Sequence, residues 1–173
     1  DEKTLVEKYE ISIDEINSIV DRYKNILLSL RNTRIKPLLD HKLLTSWNAL
    51  AAKGLIQAYL TFGNEEYLKL AKSCLQYLTT HCIDDDGKLL RTNVTAGNTI
   101  NGFLEDYATT IDALIKLYEV AFEEENLFKA KKLVDYVLKY FETSNGVMFH
   151  FTSILEPALA VRKIETSDNV ISS

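Results

Sequence analysis

Glycine and proline are scarce, 6 and 2 in 173 residues. So few turn formers argue against a domain of many short strands and suit long helices. Cysteine is limited to Cys74 and Cys82. About two helical turns separate them on a continuous helix, too far for a local disulfide. Without a Cys-x-x-Cys, the segment has no dithiol redox chemistry of its own, and both cysteines are expected in or near a core. The three histidines, His41, His81 and His150, have no second ligand at metal-binding spacing, so no metal site is expected. A Gly-rich phosphate loop and a nucleophile elbow are also missing, and no cofactor is expected. No apolar run approaches the roughly 20 residues of a membrane span. Asp1-Glu2-Lys3 leads into polar sequence rather than a signal peptide, so the expected setting is cytoplasmic, without membrane contact. The formal net charge is -5 and the basic residues do not cluster, which argues against a nucleic-acid surface. The first residue is not Met, and Asp168 to Ser173 shows no helix or cap, so an excised fragment is expected.

What is present is helical periodicity. Hydrophobic residues make up 46%, enough for a core. Ser12 with Glu15 forms a capping box ahead of a stripe of Ile13, Ile16, Ile19, Val20, Tyr23, Ile26, Leu27 and Leu30. Arg31, Arg34 and Lys36 form a small basic run, and Pro37 forces Lys36 out of helical geometry. Thr45 or Ser46 is expected to cap the next helix, to about Phe62. Its many alanines mark an inner helix surrounded by neighbours. Gly63-Asn64 stops it and caps a helix from about Glu65 to His81. Asp84 to Gly87 is a turn, Lys88 to Thr92 is short and extended, and Asn93 to Asn101 is a polar loop. Helices follow from about Leu104 to Phe122 and from about Asn126 to Thr143, then a turn at Asn145-Gly146 and an extended piece from Val147 to Thr152.

A shift of about 59 residues superposes the two halves of this pattern. Ala49 falls on Ala108, Leu55 on Leu114, Tyr59 on Tyr118, Glu65-Glu66 on Glu124-Glu125, Ala71 on Ala130, Tyr77 on Tyr136 and Gly87 on Gly146. Each unit reads helix, tight turn, helix, Gly turn, extended piece. Such a hairpin cannot bury its apolar face alone. The expected fold is all-α: helical-hairpin repeats forming an arc of a toroid with inner and outer helices. A closed ring of six hairpins needs roughly 350 residues. The expected division is a leading helix and linker over 1–36, a first hairpin unit over 37–92, a second over 93–152 and a tail over 153–173, all one partial domain.

The repeat makes Trp47 equivalent to Asp106, and Ser46 to Glu105. It therefore places Asp40, Lys42, Trp47, Asn48, Glu105, Asp106 and Tyr107 around one rim. Carboxylates from different helices beside an aromatic platform suit sugar chemistry, one protonating a leaving oxygen while another activates water. Asp40, Glu105 and Asp106 are the candidate catalytic acids; Lys42, Trp47, Asn48, Arg91, Tyr107 and Arg162 are the candidate substrate-binding residues. The competing reading is structural: acids in a first helical turn are favoured by the dipole, and Arg91 and Arg162 make ordinary ion pairs.

Asp40-His41-Lys42-Leu43-Leu44-Thr45-Ser46-Trp47-Asn48, Gly87-Lys88-Leu89-Leu90-Arg91, Gly102-Phe103-Leu104-Glu105-Asp106-Tyr107-Ala108 and Arg162-Lys163 together carry a resemblance. They resemble the helical region of large thioredoxin-domain-containing proteins related to the spermatogenesis-associated thioredoxin-like protein. That family's pattern reads approximately Asp-Asp-Lys-x-Leu-Thr-Ser-Trp-Asn-Gly, then Gly-x-Leu-x-Arg, then Gly-x-Leu-Glu-Asp-Tyr-Ala. The resemblance implies an internal part of an (α/α)6 toroid, similar to six-hairpin glycosidases and N-acylglucosamine 2-epimerases, downstream of a thioredoxin-like domain. His41 departs from the family's second Asp and Ala49 from its Gly. The implied function is binding of, or action on, carbohydrate, with glycosidase- or epimerase-like turnover expected only of a full-length ring, since an arc cannot enclose a pocket. The alternative is a non-catalytic scaffold that docks or orients a thioredoxin-like domain or protein partner.

Overall fold

A computed structural model describes residues 6, 8–38, 42–92, 99–156 and 161–165. The chain divides into two compact units, Asp1–His41 and Lys42–Ser173.

The first unit contains α1, Ile13–Asn32. Its capping box forms as the sequence indicates: Glu15 N–H donates to Ser12 Oγ at 3.2 Å, and Ser12 N–H donates to Glu15 Oε2 at 2.9 Å. These bonds, from the Ser12 amide first, hold the Glu15 carboxyl below its ordinary pKa. The periodic stripe is helical, but only Ile16 of its eight residues is buried. A single amphipathic helix has no second layer against which to bury such a stripe.

The second unit contains α2 (Thr45–Phe62), α3 (Glu65–His81), β1 (Leu90–Thr92), β2 (Ile100–Asn101), α4 (Leu104–Ala121) and α5 (Glu124–Tyr140). Both boundaries of α2 and of α3 recur in α4 and α5 after a shift of 59 residues, the same separation that spans the Lys53–Asp112 ion pair. The left-handed residue ending α2, Gly63 at φ 66°, corresponds to Phe122 at φ 56° ending α4. Gly87 and Gly146 both have positive φ in equivalent turns. The register then slips by one. Ile83 bridges Leu89 after the first hairpin, whereas Glu142 bridges Phe149 after the second, so one extra residue follows the second glycine.

The helices α2 and α4 pack side by side, and α3 and α5 pack chiefly on the inner helix of their own hairpin. Ala49, Ala52 and Ala113 are fully buried and Ile56 nearly so. Small side chains at these positions let the inner helices approach closely, and leucines from α3 and α5 fill the remaining layer. The β1–β2 pair is a short antiparallel clip whose register shifts between Leu90 and Thr92.

Three sequence expectations need correction. Leu44, not Thr45 or Ser46, is the N-cap of α2. The equivalent Phe103 caps α4, and neither supplies a capping side chain. Thr45 uses its hydroxyl otherwise, donating to the Leu90 carbonyl at 2.6 Å. The last helix runs Glu124–Tyr140 rather than from Asn126 to Thr143, with Glu123 at its N-cap. The piece from Val147 to Thr152 contributes a single bridge, not a strand. Most of the polar loop, residues 93–98, lies outside the described residues.

Candidate functional site at the helix N-termini

The first turns of α2 and α4 meet at one end of the hairpin pair. A helix N-terminus leaves backbone N–H groups without intrahelical acceptors, and one carboxylate serves both helices here. Asp106, fully buried at the third position of α4, accepts from Ser46 N–H of α2 at 3.0 Å on Oδ1. Its Oδ2 accepts from Phe103 N–H at 2.9 Å and from the Arg91 guanidinium at 3.1 Å. Three segments distant in sequence are joined through this one side chain.

Arg91, on β1, also donates to Glu105 Oε1 at 2.5 Å, and its guanidinium lies 4.8 Å from the Phe103 ring centroid. Burial lowers the Arg91 pKa, but the Glu105 hydrogen bond and the Asp106 and Glu105 charges outweigh it and hold it above its ordinary value. The Glu105 side chain keeps 23% exposure, whereas that of Asp106 has none. Of the two described acids, only Glu105 can meet a solute.

Tyr107 lies beneath this cluster. It is 1% exposed, stacks on Tyr136 with centroids 5.5 Å apart, and its hydroxyl accepts from Leu89 N–H at 2.8 Å. Burial pushes its phenol above the ordinary range, with the Leu89 amide opposing. Gly102 makes this packing possible: its N–H donates to the Leu89 carbonyl at 2.7 Å, and an added Cβ would lie 2.8 Å from that oxygen.

Trp47 directly follows Ser46 and is 69% exposed. Asn48 is partly buried and donates to the Leu44 carbonyl at 2.8 Å. Lys42 is exposed. Arg162 serves a different part of the fold. It donates from Nη2 to the carbonyls of Thr152 at 2.8 Å and Tyr140 at 3.1 Å, tying the tail to the end of α5, and burial lowers its pKa. Asp40 and His41 lie outside the described residues. The geometry thus joins Ser46, Arg91, Phe103, Glu105 and Asp106, with Trp47 beside them. Sequence reasoning did not select Phe103; its equivalence to Leu44 at the helix entrance was the available signal. Among the described residues, no group of His, Cys, Asp and Glu could hold a metal ion. No described helix is long and apolar enough to cross a membrane.

No family model matches the chain. An uncharacterized protein of Caenorhabditis elegans is 34% identical over 168 residues, 92% of this chain and 23% of the relative. Spermatogenesis-associated protein 20 of Rattus norvegicus is 32% identical over 148 residues, 80% of this chain and 19% of the relative. The chain is homologous to a segment of spermatogenesis-associated protein 20. It spans about a fifth of the length of these relatives. Among solved structures, a GH76 α-mannanase of Bacteroides thetaiotaomicron superposes with a TM-score of 0.57 at 21% identity, covering 68% of this chain and 32% of the mannanase chain. Cellobiose 2-epimerase of Bacillus thermoamylovorans gives 0.58 at 15% identity, covering 65% and 32%. These likenesses show the fold: hairpins of the (α/α)6 toroid type.

Proposed function

We propose that the rim where α2 and α4 begin binds carbohydrate within a larger α/α toroid. The observation that carries this reading is that exposed Trp47 and partly exposed Glu105, which Arg91 holds in place, stand in the first turns of two helices whose entrances Asp106 ties together. An exposed indole suits stacking on the apolar face of a sugar ring. A carboxylate fixed by a guanidinium suits hydrogen bonding to hydroxyls or proton transfer to a leaving oxygen. In this reading Glu105 is the acid that meets the ligand, while Asp106 and Tyr107 position the rim from below. Lys42, Asn48 and Arg91 border the ligand, and Arg162 fixes the tail. Fold likeness to a mannanase and an epimerase supports this only by analogy.

The test is a thermal-shift screen of the full-length protein against mono- and oligosaccharides. At least one sugar should raise the melting temperature, and Trp47→Ala and Glu105→Gln should each remove the shift while lowering the unliganded melting temperature by no more than about 4 °C. A screen without any shift would remove the proposal.

A second reading has an observation of its own. Asp106 and Arg91 are occupied holding the fold together, which is what a non-catalytic scaffold needs. In that case Trp47 docks a thioredoxin-like domain. Trp47→Ala would then abolish co-purification with that domain, and no sugar response would exist to lose.

A further inference from the structure

Between α4 and α5 an open apolar groove of about 400 Å³ is lined by Ile111, Ile115, Leu127, Phe128, Ala130 and Val134. The internal repeat shows what such a surface is for. Shifted back one unit, Ile115 becomes Ile56 and Val134 becomes Leu75. The first pair is 37% exposed at each residue, whereas the second is 1% exposed at each. In the first hairpin the covering element is α4, which packs along α2 and touches α3, and Leu117 lines the same cleft as Leu75. Thr110 and Ala113 share the face of Leu117 by helical spacing and are fully buried. The covering helix therefore brings small residues followed by a leucine.

The charges repeat as well. Lys72, at the rim of the covered groove, pairs with Glu123 in the turn of the next hairpin at 2.8 Å. Its equivalent, Lys131, is 71% exposed and, among the described residues, pairs with Asp135 on its own helix.

We infer that the α4–α5 groove seats the inner helix of a further hairpin, one with small residues at three- and four-residue spacing ahead of a leucine-sized side chain and an acid in its turn to meet Lys131. The chain's span of 23% and 19% of its relatives leaves ample sequence for such a hairpin in the longer proteins. The inference is independent of sugar binding. A second copy of this chain is the competing occupant, because α2 has a similar small-residue stripe at Ala51 and Gly54, both exposed.

Thiol labelling separates these occupants. Val134→Cys changes side-chain volume little, and Ser144→Cys provides an exposed reference. Each is reacted with a maleimide, with sites resolved by mass spectrometry, in the full-length protein and in the 173-residue chain. Position 134 should label roughly 100-fold more slowly than position 144 in the full-length protein, as buried sites that require opening do, and within about tenfold of it in the 173-residue chain. Equal labelling of the two positions in the full-length protein would overturn the inference. Protection at position 134 in a 173-residue chain that sediments as a dimer or larger would also overturn it, assigning the groove to a second copy.

Discussion

Replacing Asp106 by Asn should cost about 3 kcal/mol of folding stability, whereas Glu105→Gln should cost less than about 1 kcal/mol. Asp106 is fully enclosed, and its two oxygens accept from Ser46 N–H, Phe103 N–H and Arg91. An amide keeps one acceptor oxygen, so at least one of these donors must face an NH₂ group. A hydrogen bond to a charged group contributes roughly 1.5–3 kcal/mol, and breaking a buried ion pair costs about 3–5 kcal/mol. Arg91 retains Glu105 and keeps 20% side-chain exposure, which places the estimate at the lower end. The Glu105 carboxylate accepts from Arg91 and is partly solvated, so its loss is smaller. Urea unfolding followed by far-UV circular dichroism measures both, with the slope expected to stay constant. A midpoint for Asp106→Asn within about 0.5 kcal/mol of the parent would refute the assignment of Asp106 to the fold. Equal losses from the two substitutions would also refute the division of roles between these neighbouring acids.

Phe122→Gly should stabilise the chain by about 1 kcal/mol in the same assay, because this residue ends α4 at φ 56° where its equivalent is already Gly63. Gly102→Ala should destabilise by about 1–3 kcal/mol, since the new methyl would press against the Leu89 carbonyl and separate β1 from α4. Stability should decline above about pH 10, where phenols in the unfolded chain ionise while buried Tyr107 stays protonated. The raised folded pKa means this contribution is complete below the unfolded value and is lost as pH rises. Tyr107→Phe should flatten the decline and lose the hydrogen bond from Leu89, as read from urea midpoints across pH.

The repeat was legible because its signals are local. Turn glycines, helix spacing and matched side chains recur after 59 residues, and the helix boundaries follow. The caps of α2 and α4 were not legible, because their amides are met by distant groups: Asp106 for Ser46, and the Phe151 carbonyl for Leu104 at 3.0 Å. For the same reason, sequence could bring Glu105 and Asp106 to one rim but could not rank their exposure. Their difference arises from which one lies under Arg91 and Ser46. The stripe of α1 shows the converse limit. Periodicity gave a correct helix, but burial depends on a neighbour that periodicity does not name.

The side-by-side placement of the two helix entrances can be measured at a single amide. The Ser46 N–H lies in the first turn of α2, where no intrahelical acceptor exists, so any protection from hydrogen exchange must come from outside its own helix. In ¹⁵N-resolved exchange under native conditions it should exchange slowly in the parent and in Glu105→Gln, and rapidly in Asp106→Asn. Fast exchange of Ser46 in the parent protein, or protection that persists in Asp106→Asn, would contradict the account.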